Sequence, residues 1–148
     1  MTETYILSVN GRLERQKVKP ANILVNCIFN FHLLIDYMNT GSFQFNEELP
    51  WQDMKNGTQR QLFGYNEKVM MLKIKFEKGA VGAMHQHPHT QVTYIESGVF
   101  DMTIDNVTKR LKAGDGYFVL PGLMHGIVCI EDGMLVDVFS PHREDFLG

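Results

Sequence analysis

Cysteine is scarce in this 148-residue chain: Cys27 and Cys129 are the whole supply. Two thiols form no disulfide framework and no paired-cysteine zinc motif. They read as reduced side chains of a cytoplasmic protein, with one long-range bridge as the alternative. Basic charge is not in excess either. The formal net charge is −3, which removes the electrostatic case for nucleic acid or an anionic membrane as a partner. Long hydrophobic runs are also missing. The most apolar stretch, residues 23–35, is interrupted by Asn26, Asn30 and His32, and is too short and too polar for a membrane helix. Arg12, Arg15, Lys17 and Lys19 precede it, as basic residues precede a secretion signal, but no small-residue cleavage site follows. Helical periodicity is lacking too. No apolar repeat at helical spacing lasts beyond two turns before the terminal Arg143-Glu144-Asp145-Phe146.

What is present points to β-structure. Thirteen Gly and ten Phe suit short strands joined by tight turns. Met70, Leu72, Ile74 and Phe76 alternate with Met71, Lys73 and Lys75, the period of a half-buried strand. Further strands are expected over 60–63, 92–96, 99–104, 108–111, 117–120, 126–130 and 134–139. Asp105-Asn106 is a hairpin signal, although such a turn prefers Gly after Asn. Glu131-Asp132-Gly133 is expected to join the last two strands. Residues 39–51 form a loop whose Leu49-Pro50-Trp51 lays the lone tryptophan outside the barrel or at its mouth. Strands at this spacing with turns between them indicate a sandwich or barrel. The length fits one domain. The expected organisation is an extension over residues 1–40, strand-like or poorly ordered, and a barrel over residues 41–148. Met38, just before the recognisable domain, is a second candidate start.

The most informative stretch is 79–98, which carries His85, His87 and His89. On an extended strand His85 and His87 share a face, and Gln91 has the same parity. A second segment, 114–129, brings His125. Paired imidazoles, an amide and a distant imidazole are what a divalent metal site in a small barrel needs. The alternative for the pair is two partly buried, hydrogen-bonded histidines. His89, after Pro88, reads as a rim residue, and His32 and His142 as surface residues.

Gly79-x5-His85-x-His87-x3-Gln91-x6-Gly98 resembles the first cupin motif. Gly114-x5-Leu120-x-Gly122-x2-His125-x3-Cys129 resembles the second. Gln91 stands where the usual motif has glutamate, Leu120 where it has proline, and Cys129 where asparagine is common. The resemblance implies an all-β, single-domain cupin: a double-stranded β-helix, or jelly-roll barrel. It also implies one divalent metal (Ni, Zn, Mn or Fe) on His85, His87, Gln91 and His125. With a neutral amide in place of a carboxylate, the ion keeps its full charge. It becomes a stronger Lewis acid, attracts anionic ligands, is held less tightly and suits O₂ chemistry less well.

At the other end of the chain, Asp137 and Phe139 share a strand face. A carboxylate among apolar neighbours has a raised pKa and exchanges protons near neutral pH. Phe139 can floor a sugar ring, and Arg143 can clamp a carboxylate. On residue chemistry alone, an Asp137–Arg143 structural bridge is an equal reading. The ending D-V-F-S-P-x-R-E-D-F-L, following H-x-H-P-H-x-Q, is similar to that of the small pectin-degradation cupins, which act on 4,5-unsaturated uronates. That resemblance covers residues 45–147. It implies active-site roles for Asp137, Phe139 and Arg143, a sugar-acid substrate, and ring opening to a linear keto form. Cupins commonly pair, so a homodimer is expected. The competing readings are another metal cupin (a dioxygenase or sugar isomerase) and a cupin that binds a small ligand without turnover.

Overall fold

The computed structural model describes residues 3–7, 13–17 and 40–147. The chain falls into two compact units, 1–38 and 39–148. In the first, β1 (Glu3–Leu7) and β2 (Leu13–Lys17) form an antiparallel pair, with Glu3 opposite Lys17 and Leu7 opposite Leu13. Cys27, His32 and the apolar run 23–35 lie outside the described residues. Among the described residues, no helix is long and apolar enough to cross a membrane.

The second unit is built from strands. These are β3 (Gln52–Asp53), β4 (Thr58–Tyr65), β5 (Met70–Phe76), β6 (Val81–His85), β7 (Thr90–Ile104), β8 (Val107–Lys112), β9 (Gly116–Val119) and β10 (His125–Ser140). A single 3-10 turn, Glu144–Phe146, follows them. The sheet order is β3-β4-β5-β10-β7-β8, with β6 also pairing β10 and β9 also pairing β7. All of these pairings are antiparallel. This is the all-β jelly-roll architecture the sequence predicts. β5 has the predicted bounds and buries Met70, Leu72 and Phe76. Trp51 is half-buried, with the Lys75 ammonium 3.9 Å above its ring.

Two expectations change. The stretches 92–96 and 99–104 are one strand, β7, and 126–130 and 134–139 are one strand, β10. Glu131-Asp132-Gly133 is therefore no connection between strands. It is an irregularity within β10, where the ladder with β7 shifts register on either side of Glu131. Such an irregularity bends a strand without ending it. The glycines explain why both strands survive the bend. Gly98 has φ +86°, and a Cβ there would lie 2.6 Å from Gly133 Cα. A Cβ on Gly133 would in turn strike the Ser97 carbonyl. The two backbones touch where they curve. At the other end of β7 the Asp105-Asn106 turn holds, with φ of 46° and 66°. Asn tolerates the left-handed region, so the missing Gly is not needed.

The core divides along the strands. Phe76, Ile95, Phe100, Met102, Val119, Ile127, Cys129 and Leu135 belong to one apolar cluster. Met70, Leu72 and Phe139 form a second, smaller one. Cys129 is a free, buried thiol. Between the clusters runs a polar layer set by register. On β7 and β10, Leu135 faces Ile95, Asp137 faces Thr93, and Phe139 faces Gln91.

The backbone contact at the bend makes a differential test. Gly98→Ala should lose about 2–4 kcal/mol, from left-handed strain and forced displacement together. Gly114→Ala has φ +93° but nothing within 4 Å of the added Cβ, and should lose only about 1 kcal/mol. Urea unfolding of both variants measures the difference.

Candidate metal centre

Three histidines reach one point from three backbone positions. His85 ends β6, His87 lies in the connection beyond it, and His125 opens β10 opposite His85. The H-x-H spacing therefore works through a strand end and the turn after it, not through alternate positions of one strand. Pro88 has no N–H for a ladder, and β7 starts only at Thr90. His85, His87 and His125 each offer one ring nitrogen, and these nitrogens all lie within 4.8 Å of one another. His87 and His125 are buried, whereas His85 is exposed.

Backbone carbonyls fix the orientation of the rings. His85 Nδ1 lies 2.8 Å from the Ala83 carbonyl, His125 Nδ1 2.8 Å from that of Leu123, and His87 Nδ1 3.1 Å from that of His89. Carbonyls only accept, so each Nδ1 carries the proton and each Nε2 keeps its lone pair. Burial pushes the pKa of His87 and of His125 down, which favours the neutral rings. His125 Nε2 is buried without a partner. His87 Nε2 lies 3.0 Å from Gln91 Oε1. The amide orientation follows from its other contacts, because Gln91 Nε2 donates to Thr93 Oγ1 and Asp137 Oδ1, each at 3.1 Å. Reversing the amide would set its oxygen against a carboxylate. Two lone-pair atoms thus face each other beside an orphaned third in a buried space. A cation resolves that arrangement, and the donors suit a borderline divalent ion. The outward Nδ1–H···O=C bonds are the supporting contacts such ligands need.

Behind Gln91 sits Asp137, buried to 4% exposure. Its Oδ1 accepts from Gln91 Nε2 and in a short contact from Thr93 Oγ1. Burial raises its pKa to about 6, against the opposing pull of those two hydrogen bonds. Burial pushes the pKa of the nearby Tyr117 hydroxyl well up. Phe139 is buried, and its ring meets His87 edge to face at 5.5 Å.

Arg143 is placed differently from one of its two expected roles. Its Nε and one terminal nitrogen bond both oxygens of Asp145, at 2.9 and 2.7 Å. The Asp137–Arg143 bridge is therefore absent; Asp137 is held by Thr93 and Gln91 instead. The Arg143 guanidinium also lies over two rings, 4.2 Å from the centroid of Phe146 and 5.4 Å from that of Phe139. His89 supplies the carbonyl that orients His87. His142 is half-buried near Tyr65, with Nδ1 3.2 Å from the Glu67 carbonyl.

Sequence reasoning missed Thr93, Tyr117, Arg60, Asp145 and Phe146. Thr93 shares the strand parity of Gln91, and that was a usable signal. Arg60 meets Phe146 across 86 residues of chain, a contact no local pattern announces.

Comparison with known proteins agrees with this geometry. Residues 72–139 match the Cupin domain family. The chain is 39% identical over 103 residues to the pectin degradation protein KdgF of Dickeya dadantii, covering 68% of this chain and 94% of that protein. An RmlC-like cupin from Shewanella frigidimarina superposes with TM-score 0.73 at 45% identity, over 74% of this chain and 98% of the other. KdgF from Halomonas sp. gives TM-score 0.69 at 39% identity, over 72% and 99% respectively. The architecture, the convergent histidines and these relatives lead to one assignment: the chain is a cupin of the family that includes the pectin degradation protein KdgF.

Proposed function

We propose that this protein is a metal-dependent enzyme that opens the ring of 4,5-unsaturated uronates from pectin or alginate breakdown. The observation that carries this reading is the convergence of three Nε2 lone pairs and the Gln91 carbonyl oxygen beside a buried carboxylate of raised pKa. The names of the relatives point to the substrate class. In this reading His85, His87, Gln91 and His125 hold one divalent ion, which when bound polarises the substrate's oxygens as a Lewis acid. The ligand set is neutral, so an anionic sugar acid is the favoured guest.

The reaction is an isomerisation and needs no redox partner. The anomeric hydroxyl loses its proton, the bond between C1 and the ring oxygen breaks, and C1 becomes an aldehyde. The electron pair passes to the ring oxygen, leaving an enolate at C5, which becomes the ketone by taking one proton at C4, so the proton lost at the anomeric hydroxyl is balanced. Asp137 is the group to carry that proton. Its Oδ1 is committed to Thr93 and Gln91, which leaves Oδ2 for the substrate. A pKa of about 6 lets it accept and return a proton near neutrality. Arg143 holds the sugar carboxylate, and Phe139 walls the pocket against the ring.

The test follows the ultraviolet absorbance of a freshly lyase-generated unsaturated uronate. Its decay should accelerate with protein, return to the spontaneous rate after chelation, and recover with one added metal. His125→Ala should lose most bound metal, read by elemental analysis, together with activity. An unchanged decay rate with metal-loaded protein would overturn the reading.

Asp137→Asn should keep the metal but lose about 10²–10⁴-fold in rate, the scale of general acid–base catalysis. An unchanged rate would remove Asp137 from the proton-transfer role. The same substitution has a stability signature in chelated protein. The folded state binds the Asp137 proton more tightly than the unfolded chain does. Its stabilising effect is therefore full below the unfolded pKa and is lost as pH rises through about 6. Above that pH the asparagine variant should be more stable than the parent by up to about 3 kcal/mol, a gap closing towards pH 4. Denaturant titrations across this range measure it.

A further inference from the structure

Two guanidiniums stack on one aromatic ring at the end of the chain. Arg143 lies 4.2 Å and Arg60 4.3 Å from the Phe146 centroid. Only Arg143 bonds a carboxylate. Arg60, half-buried on β4, donates to the neutral Gln52 Oε1 at 2.7 and 3.3 Å, and to the Phe146 carbonyl at 3.5 Å. A partly desolvated cation without a bonded anion is an unmet demand for negative charge. Asp145 is the adjacent source. It precedes Phe146, its side chain is 58% exposed, and its charge already acts on Arg60. The Arg143 side chain, in contrast, is only 12% exposed. A carboxylate that reaches Arg143 in the proposed reaction therefore meets one already in place.

We propose that Arg60 is a positioning residue that receives Asp145 when a sugar carboxylate takes Arg143. Asp145 occupies Arg143 in the absence of ligand and prevents an unpaired cation from facing the pocket. On binding, the incoming carboxylate forms the bidentate pair with Arg143, and Asp145 turns to Arg60 across the Phe146 ring. The exchange leaves each guanidinium with one carboxylate. Without Arg60, Asp145 has no second cation and repels the ligand. This mechanism rests on the proposed uronate reading for its ligand, but not on turnover.

The test uses the metal-loaded full chain and galacturonate, a saturated uronate that lacks the reacting double bond, with binding read by calorimetry at low salt. Arg60→Gln should weaken binding about tenfold, the scale of an unscreened carboxylate pair near a surface. Arg60→Lys, which keeps the charge but not the planar fork, should stay within about threefold of the parent. Asp145→Asn should bind as well as the parent or better. The double variant Arg60→Gln with Asp145→Asn should return to the affinity of Asp145→Asn alone. A purely structural role for Arg60 in seating Phe146 would leave the double variant as weak as Arg60→Gln. That result, parental affinity in Arg60→Gln, or weaker binding in Asp145→Asn would each overturn the exchange. Turnover of the unsaturated uronate by the parent protein, measured separately, decides the functional reading on its own.

Discussion

The pairing of β7 with β10 is the constraint on which the rest of this structure depends. It sets Leu135 against Ile95, Asp137 against Thr93 and Phe139 against Gln91, and so stacks an apolar layer, a polar layer and an aromatic wall along one inner face. Side chains alternate with period two, so a slip of one residue would turn Asp137 to solvent and bring Val136 and Val138 inside. Gly98 and Gly133 protect this register where both strands curve. Because they let the two backbones touch, the ladder bends without breaking and continues beyond the bend in a register shifted by one residue.

That register imposes an electrostatic cost. Asp137 is taken out of water with two neutral hydrogen-bond donors and no directly bonded cation, so its proton is held more tightly than in water. A structural bridge to Arg143 would have lowered its pKa. The pairing of Arg143 with Asp145 leaves Asp137 able to exchange a proton near neutral pH. Gln91 links the two halves of the site. Its nitrogen serves Asp137 while its oxygen points at His87. A glutamate there would place a second carboxylate against Asp137 with no proton between them, so the departure from the usual cupin motif fits the neighbour that the amide must serve.

Legibility in the sequence followed how local each signal was. The alternation of Met70, Leu72, Ile74 and Phe76 stated β5 outright, because that strand is regular and packs one face inward. The pair His85 and His87 announced a convergence, although only one of them sits on the strand. The spacing alone does not say where Pro88 makes the chain leave the ladder. The continuity of β7 and β10 was hidden because glycine and acidic residues mark turns and bulges alike. What distinguishes the two is the partner strand, whose residues facing the bend lie more than thirty positions away in sequence. Arg60, Asp145 and Phe146 were illegible for the same reason. Their contacts join β4, the first long strand of the barrel, to the end of the chain, and charged residues in such places read as solvated surface.

The distribution of charge ties the parts together. On the proposed reading, a divalent ion held by neutral ligands brings two positive charges, and Asp137 offsets at most one of them. At the rim, Asp145 offsets one of two guanidiniums. Both inner site and rim are thus left with an excess of positive charge, in places only partly open to water, where screening is weak. A neutral sugar would relieve neither excess. On the proposed reading, a uronate would bring one carboxylate to the rim, and the negative charge developing on its oxygens during ring opening would fall on the inner site. On the proposed reading, the arrangement that would select an anionic ligand would also favour the charge movement of the proposed reaction, because the compensation is in place before the substrate arrives.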